Sequence, residues 1–270
     1  MPMRYKRSVA TFVDILGFAE IVGDGEGNDA ANVDDLLDAL DKTAGQPVGE
    51  VGAKTSVLTF SDSVIRSRPL DGESIYDALL AEVQDLATAQ WTLLEAGVLI
   101  RGGTTVGDMV LDERRAFGPA FVRAYRLESG LANAPRIVID PAVIEQVRGH
   151  LKAVPSRSTK RNLIEDLKSH LRLGDDGIWF IDYIKSVSLM NEAAYVRDAL
   201  GTMRAFIIDK AESLPPSSLI LPKYLWLIRY HNQSVGRVFP SARELKIRSS
   251  DVPAADELLK PIRIKKPPRR

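Results

Sequence analysis

Apolar residues recur along this chain with two periods, and the switches between them mark out its elements. Residues 8–13 (SVATFV) form a β-rich run behind a basic segment and read as a buried strand that ends on an acid, Asp14. The segment DILGF (14–18) leads into an acidic, glycine-containing stretch at 22–28, and Leu36, Leu37 and Leu40 then lay an apolar stripe on a helix over 33–40. Two β-rich runs follow, at 48–56 and 57–66, the second carrying Asp62. Ile75, Leu79, Val83 and Leu86 fall at helical spacing over 74–96, with Ser74 placed to cap the first turn. Gly97 ends that helix, and VLIRGGTTVGDMVL (98–111) predicts a strand, a tight glycine passage and a second strand, hence a hairpin. Residues 119–132 predict a helix, and 135–147 a strand followed by a short helix opened by Asp140-Pro141.

The order so far is β-α-β-β-α-β-β-α-β-α, which predicts an α+β fold: a mixed, mainly antiparallel sheet with helices packed on it. Residues 149–173 are charged and weakly patterned, and GIWFIDYI (177–184) reads as a last core strand. Val196, Leu200, Met203 and Ile207 mark a helix that Pro215-Pro216 ends, and KYLWLIRYHN (223–232) marks another. From Arg237 the chain is polar, contains proline and finishes in KKPPRR, the composition of a flexible tail. The expected organisation is a catalytic domain over 1–185, a C-terminal helical extension over 186–236 and a tail over 237–270.

Composition narrows the chemistry. With 45% hydrophobic residues the 270-residue chain has ample material for a core. Its 36 basic and 36 acidic residues cancel, so no overall positive field draws a polyanion, and nucleic acid is not an expected partner. The absence of cysteine excludes disulfides, thiolate metal sites and cysteine nucleophiles. No run approaches the ~20 apolar residues of a membrane helix, so a cytoplasmic protein with no membrane partner is expected.

Two acids that close β-rich runs are the first candidate chemistry. Side by side, two buried carboxylates repel unless a cation lies between them, and an all-oxygen set suits Mg²⁺ or Mn²⁺. From spacing alone, plain turn-forming roles suit Asp14 and Asp62 better, Asp62 within Ser61-Asp62-Ser63, since strand-terminal Asp residues are common turn formers. Arg123 and Arg126, three apart on one helix, suit either phosphate binding or a solvated pair beside Glu128. In Arg101-Gly102-Gly103 the glycines suit a bulge or the close approach of another backbone.

Taken together and in order, FVDILGF, FSDS, RGGTTVGDMV and FGPAFVRAYRLES resemble the catalytic domain of class III nucleotidyl cyclases over residues 8–184. The resemblance implies two divalent metal ions, Mn²⁺ or Mg²⁺, held by Asp14, Asp62 and the backbone carbonyl of Ile15, and a transition-state arginine at Arg126. It implies a nucleotide lying among Phe12, Leu58, Arg115 and Val122, with its triphosphate against the amides of Leu16, Gly17 and Phe18. It also implies a head-to-tail homodimer in which the aspartates and Arg126 of one site come from different copies.

The departures from that pattern concern the base. Leu58 stands where purine cyclases carry a lysine, Arg115 where an aspartate or its equivalent precedes the helix glycine, and Val122 where an asparagine orients the ribose. The chain is in this respect similar to the pyrimidine cyclases of bacterial Pycsar antiphage systems, which implies conversion of UTP to cyclic UMP and an effector coupled through that product. Arg115, a donor-only side chain, suits the two carbonyls of uracil. CTP as substrate, and a non-catalytic nucleotide-sensing module on the same fold, are the alternatives.

Overall fold

The computed structural model describes residues 4–23, 30–45, 55–215 and 217–253. The chain divides into two compact units, residues 1–196 and 197–270.

The first unit is built on a sheet in which β1 (Lys6–Ile15) is an interior strand, paired on both edges. Residues 8 to 13 of β1 are all buried because the strand is covered on both faces, so it reads as a continuous β-forming run. A short helix α1 (Phe18–Val22) and α2 (Ala30–Thr43) follow, then a hairpin of β2 (Ser56–Phe60) and β3 (Ser63–Pro69). The next elements are α3 (Ile75–Glu95), β4 (Ile100–Leu111), a two-residue β5 (Ala116–Phe117) and α4 (Pro119–Leu131). β6 (Ile137–Ile139), α5 (Pro141–Ala153), α6 (Arg157–His170), β7 (Leu171–Leu173), β8 (Trp179–Ile181) and α7 (Tyr183–Ser188) complete the unit. The strand order is β2-β3-β1-β4-β6-β8-β7, with β5 on β4, and every pairing is antiparallel except β4 with β6.

Period-two alternation assigns the two faces of the sheet. Thr11 points to α3, where its hydroxyl donates to Glu82 at 3.1 Å. Glu82 is fully buried, with Arg66 Nε at 2.8 Å, and Arg66 and Arg68 both reach Asp85, at 3.0 and 2.8 Å. Burial works to neutralise Glu82; the guanidinium groups outweigh it and hold the carboxyl below its ordinary range. Ala10 and Phe12 point to the other face, where they pack with Ile65 and Met109 against Ala120 and Ala124 of α4. Asp14, two residues beyond Phe12, therefore falls on the α4 side.

Several expectations require correction. The glycines of 98–111 make no hairpin: β4 runs straight through them, and neither Gly102 nor Gly103 has a positive φ. They are needed for close approach, since a Cβ on Gly103 would lie 2.5 Å from Leu127 Cβ and 2.6 Å from the Ala124 carbonyl. The run at 57–66 is two strands, because Ser61 takes a positive φ of 54° and turns the chain at Ser61-Asp62. The run at 48–56 lies outside the described residues as far as residue 54. The weakly patterned 149–173 stretch holds α6, capped by Ser156, and β8 ends at Ile181, with α7 beginning at Tyr183.

In the second unit α8 (Ala193–Ser213), whose first turn belongs to the first unit, and α9 (Leu221–Val238) bury Leu200, Met203, Ile207, Leu227 and Ile228. The segment expected to be a flexible tail is folded as far as residue 253. Asn232 exchanges two hydrogen bonds of 2.8 Å with the Ile247 backbone, His231 bonds the Leu245 carbonyl at 2.9 Å, and Leu245, Ile247 and Val252 are buried. Residues 254–270 lie outside the described residues. No helix among the described residues is long and apolar enough to cross a membrane.

Candidate active site

Strand register brings the candidate residues together. Asp14 on β1 pairs across the sheet with Ser63 on β3 on one side and with Arg101 on β4 on the other. Directly opposed residues in antiparallel strands share a face, so Ser63 and Arg101 flank the carboxylate. Ser63 Oγ donates to Asp14 Oδ1 at 3.1 Å, and Arg101 Nη2 stands 3.4 Å from Oδ2. Arg101 Nε also lies 2.7 Å from Oε1 of Glu128, a carboxylate of α4 whose side chain is only 3% exposed.

Asp62 arrives from the β2–β3 turn. The Ile15 amide donates to the Asp62 carbonyl at 3.1 Å and ties the turn to the end of β1, where the carboxyl of Asp62 is within hydrogen-bonding reach of Asp14. Burial first, and then the charge of Asp62, push Asp14 up to about 6, against the opposing pull of Ser63 and Arg101. Burial also raises Glu128; Arg101 opposes it, and Asp14 and Asp62 add to it. The centre thus has three carboxylates and one guanidinium, with Glu128 engaged by Arg101.

Among the described residues no group of three or more His, Asp or Glu side chains is spaced to hold a metal ion. The donor set left for a cation is the Asp14–Asp62 carboxylate pair and the main-chain oxygen of Ile15. All are hard oxygen donors, and Asp14 is raised by burial and then by the neighbouring charge of Asp62, both of which a bound cation would offset. That chemistry fits a hard divalent ion.

The nucleotide-side candidates divide. Leu58, Ile65, Phe12 and Gly103 form one row across four strands, adjacent to the row of Phe60, Ser63, Asp14 and Arg101. Phe12 is packed edge-on by Tyr125, with ring centroids 5.4 Å apart, and Leu58 is half-buried on the same apolar cluster. Gly17 takes a left-handed φ of 82° immediately before α1, a conformation that favours glycine, and Phe18 opens that helix. The Leu16 amide, in contrast, donates to the Leu99 carbonyl at 2.8 Å and is not free for a phosphate. Arg115 lies in the turn between β4 and β5, 3.6 Å from Asp112 of the same turn, with its side chain 63% exposed.

Arg126 is not in contact with the carboxylates. It is exposed on α4 beside Val122 and Tyr125, on the side away from Ala124 and Leu127, which pack on β4. Nor does it pair with Arg123, which makes a two-pronged ion pair of 2.7 and 2.9 Å with Asp140, the N-cap of α5. Ser63, Arg101 and Glu128 were not singled out as site residues from sequence. The signal that finds the first two is register: aligning the strands antiparallel about Asp14 puts Ser63 and Arg101 on either side of it.

No family model matches the chain, and no curated protein does. Among solved structures it is similar to the adenylyl cyclase CyaB from P. aeruginosa, at 20% identity over 55% of this chain and 84% of that one, with a TM-score of 0.43. It is similar to the guanylyl cyclase Cya2 at 17% identity over 67% and 94% of the two chains, TM-score 0.43. It is also similar to the adenylate/guanylate cyclase/hydrolase from Silicibacter pomeroyi at 16% identity over 66% and 98%, TM-score 0.36.

Proposed function

We propose that the protein is a class III nucleotidyl cyclase that forms a 3′,5′-cyclic nucleotide and pyrophosphate from a nucleoside triphosphate. The observation that carries this reading is the meeting of Asp14 and Asp62 at the end of β1, with Asp14 raised to about 6 by burial and by its neighbour. The four motifs in register around that pair support it.

In this reading Asp14, Asp62 and the Ile15 carbonyl hold two divalent ions, which when bound supply positive charge to the triphosphate and acidify the attacking 3′-hydroxyl. The chain's own groups do the rest. Ser63 and Arg101 orient Asp14, and Arg101 keeps Glu128 neutralised beside it. Gly17 turns the chain into α1 so that the Phe18 amide, at a helix start, faces phosphate. Phe12 and Leu58 offer an apolar wall to the nucleotide, and Val122 adds no polar contact to the ribose.

Arg126 offsets the charge that grows on the α-phosphate, an interaction strongest in the transition state. Its exposed position, away from the carboxylates of its own chain, supports a head-to-tail homodimer in which it serves the partner's site.

The substrate in this proposal is UTP and the product cyclic UMP, an antiphage messenger acting on a partner effector. The loss of the purine-reading residues at Leu58, Arg115 and Val122 supports a pyrimidine. Incubation of the purified protein with Mn²⁺ and each of ATP, GTP, CTP and UTP, with products identified by mass spectrometry, tests it. Cyclic UMP alone is expected. Cyclic CMP would reassign the base, a cyclic purine nucleotide would refute the pyrimidine reading, and no product from any of the four would favour the sensing module.

A further inference from the structure

A second concavity lies in the first unit, away from the carboxylates. It is bounded by α5, α6 and the β7–β8 hairpin, at the opposite end of the sheet from the β2–β3 hairpin that carries Asp62. Its volume is about 340 Å³, within the ~300–1,000 Å³ of small-ligand sites. Val147 and Leu151 of α5 face Ile164 and Leu167 of α6 across it, and Trp179 lines its β8 side.

The walls are set before any ligand arrives. The Tyr76 hydroxyl of α3 bonds the Leu163 carbonyl at 2.8 Å and Asp166 at 3.0 Å, and His170 Nδ1 meets Ser186 Oγ at 2.7 Å. α6 is thereby held at two points: its middle by α3 and its last residue by α7. Trp179 and Leu167 remain half-exposed in the trough, apolar surface that a purely structural helix pair would have closed over.

The rim carries one sign of charge. Arg148, Lys152, Lys160 and Lys168 all line the trough, and no acidic side chain does among the described residues. Arg148 and Lys168 have outward partners in Glu145 and Glu165, each three residues earlier on the same helix. Lys152 and Lys160, on facing helices, have no ion pair among the described residues. From 141 to 170 the sequence holds six Lys or Arg against three Asp or Glu, whereas the chain as a whole is neutral.

We propose that this trough binds a small amphipathic anion, with an acyl or aryl body against Trp179, Ile164 and Leu167 and one carboxylate, sulfonate or phosphate head between Lys152 and Lys160. An apolar floor gives such a ligand its burial, and a one-signed rim selects the head and rejects a cation. The inference stands apart from the cyclase reading, because neither its residues nor its readout involve the carboxylate centre.

Calorimetric titration of the full chain with decanoate, below its micelle concentration and in moderate salt, tests it. Saturable binding at one site per chain is expected, with decyltrimethylammonium failing to bind. The surface double variant Lys152→Glu/Lys160→Glu should weaken decanoate about tenfold or more, since two attractions become repulsions. Ile164→Trp, which fills the trough, should abolish binding while circular dichroism stays unchanged.

Equal binding of the cationic amphiphile, unchanged affinity in the double variant, or no binding of decanoate would each overturn the proposal. So would unchanged binding in Ile164→Trp, because the ligand would then lie elsewhere. Co-sedimentation with phosphatidylglycerol vesicles in place of binding to dissolved decanoate would overturn it in favour of a lipid surface.

Discussion

Replacing Asp14 by Asn tests whether the carboxylate pair is held together against its own repulsion. The side chain of Asp14 is 18% exposed, and its folded-state value is about 6 against an ordinary 3.8. The folded chain therefore holds this proton more tightly than the unfolded chain does. Stability is full at low pH, falls as pH rises from about 4 through about 6, and carries the whole penalty above that. The separation is worth about 3 kcal/mol at pH 7.5 and roughly half of that at pH 5.

Asn at this position keeps an acceptor for Ser63 but has no charge to titrate. In EDTA the variant should gain on wild type by roughly 1 kcal/mol more at pH 7.5 than at pH 5, or a few °C in melting temperature. Thermal unfolding of both proteins at both pH values is the assay. Mn²⁺ should raise the melting temperature of wild type at pH 7.5 and leave the variant nearly unmoved, since an ion that binds only the folded state stabilises it. A variant that gains no more at pH 7.5 than at pH 5 would refute the argument that Asp14 is charged at a cost.

Other outcomes follow from the same geometry. Gly103→Ala should destabilise by about 1–3 kcal/mol in denaturant unfolding, because its methyl group would press on Leu127 and on the Ala124 carbonyl and push α4 off the sheet. Glu82→Gln should cost about 3 kcal/mol in the same assay, because two buried guanidinium groups keep Asp85 but lose the fully buried carboxylate they share. Arg115→Ala should shift the ratio of UTP to CTP turnover while leaving the Mn²⁺ dependence alone; an unchanged ratio would leave Arg115 to its ion pair with Asp112.

The strands and helices with a strong period were legible from sequence; the pairing of the two acids was implied by the resemblance alone, because each acid by itself suits a turn. SVATFV and the Ile75, Leu79, Val83, Leu86 series each point to one element because burial on two faces, or on one helical stripe, leaves few alternatives. The β4 glycines misled because glycine in a strand serves two opposite ends, turning and close approach. Only the position of α4 over Gly103 decides between them.

α6 was missed because its apolar residues are few, and two of them, Ile164 and Leu167, line a trough rather than the core. Arg101 and Glu128 were in view as members of motifs but not as neighbours of Asp14. Their pairing joins β1, β4 and α4, and a single sequence holds no record of contacts so far apart. The residues after Val238 look like a tail by composition, yet Asn232 and His231 supply the backbone hydrogen bonds that hold 245 to 247 in place.

The central claim is a site with carboxylates from one copy and an arginine from another, and complementation tests it most directly. Asp14→Ala and Arg126→Ala proteins, each supplied with Mn²⁺ and UTP, should make no cyclic nucleotide by mass spectrometry. Mixed under conditions that exchange subunits, they should regain activity, because each mixed dimer holds one whole site. Silence from a mixture in which mixed dimers are demonstrated, or full activity in Arg126→Ala alone, would contradict the account.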